Sequence, residues 1–138
     1  MFLAGRIKFS SNLDPFVTES GFSIKVREAG TVSLLDVSGR LTSFETGALR
    51  DFVLRLLKQG RRDIVLNLSG LEYLDSSGIG ELARVYVTVV KQNGQMKVVG
   101  LSSKIEEILK ITQLYQVFPE FPDEEAALKS FPEARPGN

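Results

Sequence analysis

The sequence predicts an α/β fold: a mixed sheet of four to five strands, with an N-terminal antiparallel hairpin, parallel crossovers after it, and helices packed on the sheet. Three observations carry this. Phe22-Ser23-Ile24-Lys25-Val26 alternates apolar and polar residues, and Val32-Ser33-Leu34-Leu35-Asp36-Val37 follows after a short link, as in a hairpin. Further strand-like runs, Asp63–Leu68 and Met96–Gly100, then alternate with apolar stripes at helical spacing. Strand–helix–strand alternation implies right-handed parallel crossovers.

The elements follow in order. Residues 1–20 lack periodicity and contain Ser10-Ser11-Asn12 and Asp14-Pro15, so they form an N-terminal extension. Its Phe2, Phe9 and Phe16 can dock on the domain or on a second copy, which leaves a homodimer open. Residues 21–131 form one domain. Glu28-Ala29-Gly30 is expected to turn the hairpin, and Gly39 to end its second strand. Thr42-Ser43-Phe44-Glu45 fits a capping box and opens a helix of about four turns. Its stripe is Phe44, Ala48, Leu49, Phe52, Val53, Leu56 and Leu57, and Gln59-Gly60 stops it. A second stripe runs through Ile79, Leu82, Ala83, Tyr86, Val87 and Val90 to a stop at Asn93-Gly94. Ser103-Lys104-Ile105-Glu106 is another capping box. Val117-Phe118 is expected to add an edge strand, and Asp123 to cap a last helix carrying Ala127, Leu128 and Phe131. Residues 132–138 read as a disordered tail.

Composition narrows the chemistry. The chain has 138 residues, no cysteine and no histidine. Disulfides, thiolate catalysis, cysteine-held metals and the commonest general base are therefore all excluded. Lys+Arg and Asp+Glu both number 17. That balance argues against nucleic acid as a partner, although a basic patch can hide in a neutral total. No apolar run approaches the roughly 20 residues of a membrane span, and Met1–Gly5 is too short for a signal core, so a cytoplasmic protein is expected. There is no Walker-type phosphate loop. An enzyme would have to use Asp75 and Ser76 with Lys97 or Lys104 as the base, and the chain is not expected to be one. No cofactor or metal is implied.

The candidate site is Asp75-Ser76-Ser77-Gly78, between a strand and a helix. Asp and Ser are favoured N-caps, so helix capping is the plain reading. Gly78 and Gly80, however, each cost about 0.5–1 kcal/mol in a helix relative to alanine. Two glycines in one turn suggest that a partner must approach the backbone closely. A phosphate on Ser76 would add about −1.5 to −2 charges beside Asp75 and oppose any partner fitted to the neutral serine.

Val65-Leu66-Asn67-Leu68 followed by Leu74-Asp75-Ser76-Ser77-Gly78-Ile79-Gly80 resembles the STAS domain of bacterial anti-sigma-factor antagonists. Val37-Ser38-Gly39-Arg40-Leu41 resembles that family's first signature, and Gln92–Val99 its third. The resemblance covers residues 22–131 and implies a partner-switching role in transcription regulation. The unphosphorylated antagonist would bind an anti-sigma factor that is itself a GHKL-type serine kinase. That kinase would phosphorylate Ser76, with Ser77 the second choice, and a serine phosphatase would reverse the step. The implied partner surface is Gly39, Arg40, Leu41, Thr42 and Ser43 together with Asp75, Ser76, Ser77, Gly78 and Ile79. One departure stands out. Antagonists commonly carry Asp after Gly-x-Leu, and here the residue is Thr42. It keeps open a second reading, a non-switching STAS interaction module such as a subunit of a signalling scaffold or of a lipid transporter.

Overall fold

In the computed structural model, which describes residues 15–45, 47–113 and 118–132, strands β2 (Ser23–Ala29) and β3 (Val32–Leu41) form the expected hairpin. Its turn is tighter than expected. Glu28 and Ala29 pair with Ser33 and Val32, and the chain reverses at Gly30-Thr31, with Gly30 at φ 63°. Two edge strands bring the sheet to six. β1 (Phe16–Val17) lies within the stretch assigned to the N-terminal extension and pairs antiparallel with β2; Phe16 meets Phe22 edge-to-face. Phe2, Phe9, Val117 and residues 133–138 lie outside the described residues.

β4 (Asp63–Leu74), β5 (Gln95–Val99) and β6 (Glu120–Phe121) add in parallel, so the spatial order is β1-β2-β3-β4-β5-β6. The expected Val117-Phe118 strand therefore falls later: Phe118 is buried in the core, and pairing begins after Pro119. Parallel crossovers are right-handed as a rule, and with the sheet growing in one direction this puts the crossover helices on one face. These are α1 (Ala48–Lys58), α2 (Ser76–Lys91) and α3 (Ser103–Ile111). The alternation of strand side chains follows. Leu35, Leu66 and Val98 face these helices, while Leu34, Val65 and Val99 face α4 (Glu124–Lys129) on the other side. Asn67, the polar residue in β4, helps to clasp that side. Its amide donates to Asp36 and Glu124, which both also pair with Arg27, and its carbonyl accepts from the Ser69 N–H.

Two helix starts differ from the sequence pattern. Thr42 and Glu45 do bond, but they close a turn ahead of the helix, and α1 begins after Gly47, whose φ is 97°. Gly47 offers no side chain to cap α1. Glu81 of α2 takes that role: fully buried, it accepts from the Arg50 N–H at 2.9 Å. Ser102, rather than Ser103, caps α3, accepting from the Ile105 N–H at 3.2 Å. Asp123 caps α4 as expected, from the Ala126 N–H at 2.8 Å.

The buried stripe of α2 is Leu82, Val85 and Val89, with Gly78 and Glu81. Val87 and Val90, expected inside, are 47% and 48% exposed. Gly39 does not end β3. It stands within it at φ 95°, among register shifts, and the strand continues to Leu41. β4 likewise runs six residues past Leu68, to Leu74.

Candidate functional site

These longer strands set the site. Leu41 and Leu74 are register partners, so β3 and β4 end side by side and the chain leaves both at the same edge. From β4 comes Asp75, the N-cap of α2. Its Oδ1 accepts from the Gly78 N–H at 2.9 Å and its Oδ2 from the Ser43 N–H at 3.2 Å. One carboxylate thus ties the start of α2 to the loop after β3.

That loop is organised around a second carboxylate. Glu45 is only 4% exposed. Its Oε1 accepts from the Thr42 N–H at 3.0 Å and the Thr42 hydroxyl at 2.8 Å, and its Oε2 from the Ser20 hydroxyl at 2.5 Å. The Ser20 bond above all, with those from Thr42, holds the Glu45 carboxyl below the usual range, against the opposing effect of burial. Thr42 and Glu45 bond to each other on either side of Ser43-Phe44, and Phe44 between them stands 93% exposed. Next to it, Arg40 lies over the Tyr73 ring at 4.4 Å and Lys104 Nζ at 5.8 Å. Phe44, Arg40, Tyr73 and Asp75 border a shallow hollow of about 360 Å³.

Ser76 is the first residue of α2 and is exposed; its hydroxyl has no hydrogen-bond partner among the described residues. Ser77 is half-buried. A phosphate on Ser76 would meet the positive end of the α2 dipole and the negative charge of Asp75 together.

The residues singled out in the sequence come together here, but not all face outward. Arg40, Thr42, Ser43, Asp75, Ser76 and Ser77 reach solvent. Leu41 and Gly78 are buried, and Ile79 packs on the core. A Cβ on Gly39 would stand 2.8 Å from the Gly21 carbonyl oxygen. The glycine argument also changes. A Cβ on Gly78 would stand 2.1 Å from the Leu41 carbonyl oxygen, so Gly78 is required by the protein's own β3, not by an approaching partner. At Gly80 the nearest atom to such a Cβ is Arg84 Nη1, at 3.5 Å, and a side chain fits. The sequence reading missed Phe44 as a surface residue, and it missed Ser20, Tyr73 and Glu81 altogether.

An exposed serine thus begins α2 beside the loop that carries exposed Phe44, on an α/β fold with a mixed sheet. The model of the STAS domain matches residues 23–127, and the chain belongs to the STAS domain family. The fold expected from the resemblance is the one observed. The chain is 28% identical to an anti-sigma-B factor antagonist of Bacillus subtilis over 83 residues, which cover 60% of this chain and 75% of that protein. The crystal structure of an anti-sigma factor antagonist from Mycobacterium paratuberculosis superposes with a TM-score of 0.71 at 25% identity, over 83% of this chain and 97% of that one. Bacillus SpoIIAA in its phosphorylated form gives 0.60 at 17% identity, over 78% and 99% of the two chains, a likeness of fold. Among the described residues, no helix is long and apolar enough to cross a membrane.

Proposed function

We propose that this protein is a cytoplasmic anti-sigma-factor antagonist that binds an anti-sigma factor through the β3–α1 loop and the start of α2, and is released when Ser76 is phosphorylated. The anti-sigma factor would be a GHKL-type serine kinase, and a serine phosphatase would restore the binding form. The observation that carries this reading is the adjacency of exposed Ser76 to the exposed Phe44 loop, joined through Asp75. An exposed aromatic on a loop tied by hydrogen bonds at Thr42, Ser43 and Glu45 is the kind of anchor that dominates interface energetics. A dianion created beside it alters the surface that the partner must meet. The names of the related proteins support the same reading.

In this reading the protein works by binding rather than by catalysis. Of the two lysines that could serve as a base, Lys97 has its Nζ bonded to Ser130 and over the Phe131 ring at 4.3 Å, and Lys104 lies over the Tyr73 ring.

Thr42 favours the second reading, a non-switching module: where antagonists commonly carry a carboxylate, its hydroxyl is spent within the loop on Glu45. Incubation of the full chain with a GHKL-type serine kinase from the same genome and ATP, followed by mass spectrometry, separates the two. A single phosphate on Ser76 supports the switch. An unmodified Ser76, with Ser76→Asp binding the same partner as tightly as the native chain, supports the module.

A further inference from the structure

The zero net charge conceals a basic groove. α1 and α2 lie side by side, and between them runs an open groove of about 440 Å³. Three cations, Arg50, Arg84 and Lys91, border it; Leu54, Ala83 and Val87 form its apolar part, and no carboxylate lines it. Asp51, next to Arg50 in sequence, borders a different hollow, and Glu81, three residues before Arg84, lies beneath the surface, committed to the Arg50 N–H and to Arg84 at 3.5 Å. The cations are also positioned. Arg50 Nε donates to Thr88 Oγ1 at 3.3 Å, and Thr88 in turn donates to the Arg84 carbonyl at 2.8 Å, so a polar chain links α1 to α2 across the groove. Val87, placed inside by the sequence pattern, is half exposed here.

We propose that the α1–α2 groove is a second docking surface, one that takes an acidic amphipathic helix of a partner protein. Arg84, Val87 or Thr88, and Lys91 recur at the three- and four-residue spacings of one helix face. They offer cation, apolar contact and cation over about two turns, or ~10 Å. A ligand helix with Leu or Val along one stripe and Glu or Asp flanking it matches that order, as helix-in-groove recognition requires. Concavity favours such a helix over an anionic membrane, which would need the cations on a convex or flat face. The groove residues on α2 and its C-cap run from Ala83 to Gln92, ~10 to ~24 Å beyond Ser76 at ~1.5 Å per residue. The groove thus lies beyond the helix turn that carries Ser76 and, as proposed, binds its partner whatever the state of Ser76.

The probe is a synthetic acidic helical peptide with Leu at positions i, i+3, i+4 and i+7 and Glu flanking them, titrated into the ¹⁵N-labelled full chain. Controls are a scrambled peptide of the same composition and vesicles containing phosphatidylglycerol. The expected result is saturable binding with amide shifts along α1 and the second half of α2, weakened by salt. Lys91→Glu and Val87→Glu, both at exposed positions, should each weaken it at least about fivefold, and Ser76→Asp should leave it unchanged. Equal binding of the scrambled peptide, shifts centred on Ser43 and Ser76, no binding, or vesicle binding without peptide binding would each overturn the proposal.

Discussion

Ser43 donates its backbone N–H to Asp75 Oδ2 at 3.2 Å, across a gap of 32 residues in sequence. Asp75 is therefore more than the cap of α2: its other oxygen caps the helix while this one holds the loop that carries Phe44. Asp75→Ala should cost about 1 kcal/mol for the cap alone and should also loosen the loop. Asp75→Asn retains one side-chain oxygen as acceptor and should cost less. Urea unfolding, with hydrogen exchange read at Ser43, checks both. Unchanged protection at Ser43 in Asp75→Ala would show that the loop is held without it.

Phe44 gives the opposite kind of prediction. At 93% exposure it contributes little to folding, so Phe44→Ala should change stability by less than about 0.5 kcal/mol. The same change should weaken binding to the anti-sigma factor about tenfold or more. Thermal unfolding and calorimetric titration of one variant separate these effects, and a large loss of stability would place Phe44 in the fold instead.

The two glycines of the motif should behave differently. Alanine at Gly78 would drive its methyl into the Leu41 carbonyl, and the rearrangement should cost about 1–3 kcal/mol. Alanine at Gly80 meets nothing nearer than 3.5 Å and should stabilise α2 by about 0.5–1 kcal/mol. Equal effects of the two substitutions on the unfolding midpoint would mean that the packing at Leu41 is not what selects glycine.

Acid should loosen both the Glu45 loop and the Arg27–Asp36 clasp. The carboxyls of Glu45 and Asp36 titrate below their ordinary values of 4.5 and 3.8, chiefly through the Ser20 hydroxyl and the Arg27 guanidinium respectively. A depressed carboxyl stabilises the fold fully above its unfolded value, and that stabilisation is lost as pH falls through the folded value. With no histidine present, stability should be flat from about pH 5.5 to 8 and should fall below about pH 4.5. Glu45→Gln should lose about 1.5–3 kcal/mol at pH 7 and show a shallower acid decline. A decline as steep as in the native chain would remove Glu45 from this account.

The fold was legible because each main strand and helix repeats its apolar period several times, and the motif because Asp75 and Gly78 sit where a helix begins. What escaped notice depended on contacts between distant segments. Nothing near Gly78 reveals that Leu41 will lie against it. Val87 and Val90 fit a helical stripe as well as Val85 and Val89 do, and only the sheet decides which pair is covered. Phe44 looked internal because Thr42 and Glu45 match a capping box. Their bonds form, but Ser20 captures the second oxygen of Glu45 and Gly47 delays the helix, so the aromatic is left outside.

The most direct test of the switch is the affinity of the full chain for its anti-sigma factor, measured calorimetrically before and after stoichiometric phosphorylation of Ser76. The account predicts tight binding by the unmodified protein and by Ser76→Ala, and a loss of about 100-fold or more on phosphorylation, equivalent to roughly 2.8 kcal/mol. Equal affinities of the two forms would contradict it.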